Sequence, residues 1–180
     1  KPRVPKDEAA ATDTTHRDSV KVDTVKTKPG IDSPVEYQAA DSMVYDAASG
    51  LAYLYGKAQV NYQNMQLTAA KISMNMDSSM VHAEARADST VEGGLDGRPQ
   101  YTQGTDQYDS ERMSFNFKTK KGYILNVNTK QGDGFMTSER SKRAADGTLY
   151  LEKGRYTTCD AKHPHFYLAL SRAKVRPGKD

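Results

Sequence analysis

The distribution of proline constrains the fold of this chain more than any other feature of its sequence. Apart from Pro99, no proline occurs between Val35 and His163. Because proline has no N–H to donate to a neighbouring strand, long paired β-strands require sequence that is nearly free of proline. Four of the seven prolines lie instead in residues 1–34. The sequence therefore divides into an N-terminal segment, 1–34, and a candidate β-domain, 35–180.

The N-terminal segment, 1–34, mixes Lys, Asp, Thr, Ala and Pro and has no periodic apolar face. Such a composition buries too little apolar surface to offset the conformational entropy that folding costs. We therefore predict a flexible linker over this segment.

Alternation of apolar and polar residues predicts strands in the remainder of the chain. In 51–62, Leu54, Val60 and Tyr62 share one parity, whereas polar residues such as Asn61 occupy the other. That is the period of a strand with one apolar and one wet face. Glycine-containing turns such as KTKKG, QGDG and ADG separate these segments. With no amphipathic helical pattern present, the sequence indicates an all-β domain.

One segment, MVHAEARAD at 80–88, gives conflicting signals. It is rich in Ala, Glu and Arg, which favour helix. Its apolar residues nevertheless alternate strictly with polar ones. We predict a strand, because a two-residue apolar period is a stronger indication of structure than the helix propensity of the residues. The expected inward residues are Val81, Ala83, Ala85 and Ala87.

A weak internal repeat occurs four times, as ADSMVYD, AAKISMN, SERMSFN and LSRAKVR. Each copy has apolar residues at its fourth and sixth positions, which indicates either a stacked β-solenoid or a related jelly roll with parallel edges. Those pairs are Met43/Tyr45, Ile72/Met74, Met113/Phe115 and Ala173/Val175.

The predicted apolar face is rich in Met, Ala, Tyr and Phe rather than Ile and Leu. Methionine and aromatic side chains fill irregular space and adapt to partners, so this interior is compatible with a flexible apolar ligand such as an acyl chain. A modest, loosely packed core without a ligand is the alternative. The residues predicted to line a lipid-binding groove are Met43, Tyr45, Leu54, Val60, Tyr62, Ile72, Met74, Met76, Met113, Phe115, Phe117 and Leu170.

The net charge of +3 does not indicate a nucleic-acid-binding protein, because Lys and Arg interleave with acidic residues. Catalytic motifs with G-x-S-x-G, P-loop or H-E-x-x-H spacing do not occur in the sequence. We therefore predict no catalytic residues and no cofactor.

The segment GRYTTCDAKHPHFYL contains the single cysteine, Cys159, and an H-x-H pair, His163 and His165. Two imidazoles at this spacing on a strand share a face and could begin a metal site of the cupin type. The sequence that follows supplies no further ligand, so we predict no metal site. A cysteine nucleophile would require a histidine and an orienting group close in space. Neither alternative is strongly indicated.

Several segments together resemble one family. They are the run 37–79 and the words FNFKTKKGYI, QGDGF and, above all, GRYTTCDAKHPHFYLALSRAKVRPGK. They resemble the N-terminal periplasmic domain of the lipopolysaccharide-assembly outer-membrane proteins LptD, of the OstA family, in its Bacteroidetes-like form. The similarity spans residues 35–180.

The resemblance implies an open, folded-over β-jelly-roll, or β-taco, with antiparallel strands stacked in two sheets. It implies a non-enzymatic domain on the periplasmic side of the outer membrane of a Gram-negative envelope. Such a domain receives lipopolysaccharide from a periplasmic bridge protein of the same fold by edge-strand pairing. It passes the acyl chains of lipid A to its own C-terminal membrane β-barrel, which is associated with a plug lipoprotein.

The resemblance also implies a role for Cys159, which matches a family cysteine that pairs with one in the barrel. This chain ends before such a barrel, so Cys159 is interpreted as a disulfide handle without its partner here. Two other functions stay open from the sequence, a cupin-like metal-dependent enzyme using His163 and His165, or a purely structural envelope scaffold.

Overall fold

The computed structural model describes residues 23–25, 33–161 and 164–176. In these residues every regular element is a β-strand, and no helix that could cross a membrane is present. The strands are β1 Asp23–Val25, β2 Val35–Gln38, β3 Ser42–Asp46, β4 Leu51–Tyr62, β5 Met65–Asn75, β6 Met80–Glu84, β7 Arg86–Ala87, β8 Leu95–Asp96, β9 Gln100–Gln103, β10 Asp106–Asp109, β11 Arg112–Asn116, β12 Lys121–Gln131, β13 Gly134–Arg143, β14 Leu149–Thr157 and β15 Leu168–Val175.

Thirteen of these strands form one antiparallel sheet, while β7 and β8 pair separately. The main path runs β1-β2-β4-β5-β6-β11-β12-β13-β14-β15. Strand β3 pairs with one half of β4, and the β9–β10 hairpin joins one half of β5 to one half of β12. The predicted all-β, antiparallel architecture is confirmed.

The long strands bend near their middles, and the bends fold the sheet over. Asn126 in β12 and Lys153 in β14 have φ values of 50° and 53°, in the left-handed region. Pairing between β12, β13 and β14 is interrupted at these positions. In β4 the equivalent point is a bulge at Gly56 and Lys57, where register to β5 shifts. Each long strand thus contributes to two layers that face one another.

The repeated positions in the sequence are neighbours across the sheet in the structure. Cross-strand pairing places the four repeat pairs in two rows across one layer, on the alternate strands β3, β5, β11 and β15. One row runs Met43, Leu54, Ile72, Ala83, Met113, Ile124, Ser141, Leu151 and Ala173. Since the described strands all pair antiparallel, the repeat belongs to an antiparallel jelly roll, and both the solenoid and the expected parallel edges are wrong.

The strand predicted over 80–88 exists, but its alternation ends early. Val81 and Ala83 are buried, and β6 ends at Glu84. Beyond it, the Ala85 N–H donates to the Glu111 carbonyl at 3.2 Å, in the register of the β6–β11 pairing. Ala85 is half-buried, whereas Ala87 is exposed in the separate β7–β8 pair, so the expected inward placement of Ala87 is wrong.

Most of the predicted linker lies outside the described residues. Within it, Asp23–Val25 forms β1 and pairs antiparallel with β2, Thr24 opposite Glu36.

Candidate functional site

The interior between the two layers is the candidate site, and it contains most of the predicted groove residues. Those in the buried core are at most 4% exposed, and Met76 packs against them while partly buried. The buried residues are Leu54, Val60, Tyr62, Ile72, Met74, Met113, Phe115 and Phe117.

At the N-terminal edge the inner face is uncovered. Met43 lies opposite Leu54 and Tyr45 opposite Ala52, so both point to the inner face of the sheet. They are nevertheless 40% and 65% exposed. Among the described strands, β3 pairs with β4 alone, so its other edge is unpaired.

The same is true at the opposite edge. Strand β15 pairs with β14, and its inner-face residues are Leu168, Leu170, Ala173 and Val175. Leu168 is 64% exposed and the other three are half-buried. The mostly apolar inner face therefore runs from β3 through the core to β15 and is uncovered at both edges.

The free ends of the two layers meet at what we call the seam, formed by Tyr62, Gln103, Phe117 and Arg143. The rings of Tyr62 and Phe117 are 5.0 Å apart, and Arg143 Nη2 donates to Gln103 Oε1 at 2.9 Å. Arg143 Nη1 also donates to the Lys120 carbonyl at 3.3 Å. These contacts hold the layers together opposite the bends.

Sequence reasoning missed two polar residues of the interior rows, Ser141 and Arg143. They occupy the fourth and sixth positions of SERSKRA, 138–144, which matches the repeat copy SERMSFN in its first three letters. Within the described chain, Ser141 Oγ and Arg143 Nε are buried without a hydrogen-bond partner. The shared SER was the signal that could have identified β13 as a fifth copy.

Two buried tyrosines, Tyr101 and Tyr108, were also missed because the segment 100–110 is mostly polar. Their rings lie 5.8 Å apart, and Tyr101 lies 5.6 Å from Phe115 across the layers. Burial raises the pKa of each phenol to about 12.

The raised tyrosine pKa values predict alkaline destabilisation. An unfolded tyrosine titrates near 10, so the stabilisation is complete below pH 10 and is lost as pH rises toward 12. The expected loss reaches about 2–3 kcal/mol for each tyrosine. Urea unfolding at pH 9, 10 and 11 measures it, and Tyr101→Phe should show a shallower decline. A decline of the same slope in that variant would contradict this origin.

Cys159 and His165 lie together after β14, whereas His163 lies outside the described residues. Cys159 Sγ is 3.5 Å from His165 Nδ1. No group of three or more His, Cys, Asp or Glu residues that could hold a metal occurs in the described parts. Because His163 lies outside the described residues, the absence of a metal site at the H-x-H pair stays a prediction.

The contacts of Cys159 predict a reactive thiol. The backbone N–H groups of His165 and Ala161, followed by the His165 imidazole, lower the pKa of the Cys159 thiol. Because the thiolate is the nucleophile, alkylation by iodoacetamide at pH 7 should be faster than for an unperturbed peptide cysteine. The pH–rate profile should have a midpoint below the ordinary value, and His165→Ala should raise that midpoint. A midpoint near 8.5 in both proteins would contradict the prediction.

No protein-family model and no curated protein matches this sequence. Its structure is similar to a solved structure described as LptH, the LptA homologous periplasmic component of the conserved lipopolysaccharide transport device from Pseudomonas aeruginosa. The TM-score is 0.55 at 14% sequence identity, and the match covers 83% of this chain and 100% of that chain. This likeness confirms the predicted fold class, an all-β, folded-over β-jelly-roll.

Proposed function

We propose that this chain is a non-enzymatic transport domain for lipopolysaccharide, holding its acyl chains in the apolar interior. The observation that carries the proposal is the mostly apolar inner face, uncovered at Met43 and Tyr45 on β3 and at Leu168 on β15. An acyl chain could cover the exposed apolar surface at either edge, with a gain of about 0.8 kcal/mol per buried CH₂. The name of the similar structure supports this substrate.

Both exposed edges also suit strand addition by a partner. In the described chain, β3 and β15 each have one unpaired side, and an unpaired strand edge is a template for another strand. A periplasmic bridge protein of the same fold is the partner we propose. Pairing with it would extend the apolar inner face from one protein to the next.

The finer assignment is to an LptD-like protein at the periplasmic side of the outer membrane. In that assignment a C-terminal β-barrel with its plug lipoprotein would receive the lipopolysaccharide. The sequence resemblance supports it, as does the position of Cys159 beyond the end of β14, where it is accessible for an interdomain disulfide.

Binding of a fluorescent fatty acid, cis-parinaric acid, tests the proposed function. The account predicts that the purified domain enhances its fluorescence and that intact lipopolysaccharide displaces it. Lipopolysaccharide from which all acyl chains have been removed should not displace it, since it has nothing to place in the interior. Absence of fatty-acid binding, or equal displacement by both forms, would contradict the proposal.

A further inference from the structure

We propose that the outer face of β12–β15 carries a binding site for a phosphorylated saccharide. Cross-strand pairing places Tyr123, Lys142, Tyr150 and Lys174 in one row on that face, here called the tyrosine–lysine row. Tyr123 is 38% and Tyr150 47% exposed. Lys174 Nζ lies 5.4 Å from the centre of the Tyr150 ring. Aromatic and cationic side chains thus alternate along the row.

The outer face of β12–β15 carries more cations than anions, so its electrostatic potential favours an anionic ligand. Glu152 on β14 lies 3.7 Å from both Arg140 and Arg172, and Glu139 on β13 pairs with Lys153 at 2.7 Å. Nearby Asp146 accepts hydrogen bonds from Thr148 and also interacts electrostatically with Lys174 of the row. An excess of exposed cations on one face is typical of a phosphate-binding surface. The five exposed cations are Lys121, Arg140, Lys142, Arg172 and Lys174.

The shape of the face suits a saccharide. Two depressions of ≈ 380 and ≈ 440 Å³ share Tyr123, Lys142 and Tyr150 in their walls. A tyrosine ring presents an apolar surface against which the C–H groups of a sugar ring pack. Lysines beside the rings can pair with phosphate groups on that sugar.

Strands β14 and β15 carry Leu151, Ala173 and Val175 on their inner face. The proposed site lies on the outer face of the same strands. A molecule reaching around the open edge of β15 could therefore place acyl chains inside and a phosphorylated headgroup outside. This origin of the saccharide rests on the proposed function.

The test is an NMR titration with a glucosamine disaccharide that carries a phosphate at each end and no acyl chains. Amide shifts should occur at the tyrosine–lysine row, and the unphosphorylated disaccharide should bind at least tenfold more weakly. The double variant Lys142→Gln/Lys174→Gln should raise the Kd at least tenfold. Lys118→Gln/Lys130→Gln removes two exposed charges away from the row and should leave the Kd unchanged.

Absence of binding, shifts confined to other surfaces, or equal weakening by the two double variants would overturn the inference. Binding of vesicles containing phosphatidylglycerol through the row, without binding of the saccharide, would also overturn it and indicate a membrane surface. None of these outcomes affects fatty-acid binding in the interior, because that probe has no headgroup sugar. Failure of the two proposals is therefore distinguishable.

Discussion

Replacing Phe115 with alanine is expected to lower the free energy of unfolding by about 3–5 kcal/mol. The Phe115 side chain is 3% exposed and packs against Tyr101 at 5.6 Å and Phe117 at 5.7 Å between ring centres. The Tyr101 contact joins the two layers, so the substitution leaves a cavity between them that close-packed strands fill only partly. Urea denaturation of both proteins measures the difference.

Tyr123→Ala is the matched control for this effect. Tyr123 lies on the neighbouring strand β12 and faces outward, 38% exposed. Truncation of an exposed side chain usually changes stability by no more than about 0.5 kcal/mol. Similar losses in the two variants would show that the layers do not pack through Phe115.

The double substitution Met43→Asp/Tyr45→Asp is expected to weaken binding of intact lipopolysaccharide at least tenfold, about 1.4 kcal/mol. Both side chains point to the inner face at the open β3 edge, where an acyl chain would have to bury the new carboxylates. Because both positions are exposed, the fold should be retained. Displacement of cis-parinaric acid gives the affinity, and circular dichroism checks the fold.

The control places the same two charges on the opposite face of the same strand. Ser42 and Val44 lie opposite Tyr55 and Tyr53 and point outward. The variant Ser42→Asp/Val44→Asp should bind lipopolysaccharide as the unmodified protein does. If both double variants lost affinity equally, the loss would result from negative charge anywhere on β3. Such a result would contradict a specific role for the inner face.

The sequence predicted the strands and much of the interior because a sheet with one wet face alternates at a period of two. Leu54, Val60 and Tyr62 of β4 are all buried, as that alternation requires. The repeat pairs, such as Ile72/Met74, align in register because equivalent positions on alternate strands meet the same opposite layer.

Features that depend on long-range topology were not predictable from the residues. The left-handed bend at Lys153 has no marker, since lysine does not favour that conformation. Whether Met43 is covered depends on which strand ends the sheet, and strand order is not encoded in local alternation. Arg143 was missed because an arginine normally marks a solvated face, whereas here its guanidinium bridges the layers to Gln103.

The central claim is that acyl chains lie against the inner face, and site-specific photo-crosslinking tests it most directly. A photoreactive amino acid would replace Tyr45 or Leu170 on the inner face, and the outward neighbours Val44 or Ala169 as controls. With lipopolysaccharide added, the account predicts adducts at the two inner positions and none at the outer ones. Adducts of equal yield on both faces, or only on the outer face, would contradict the claim.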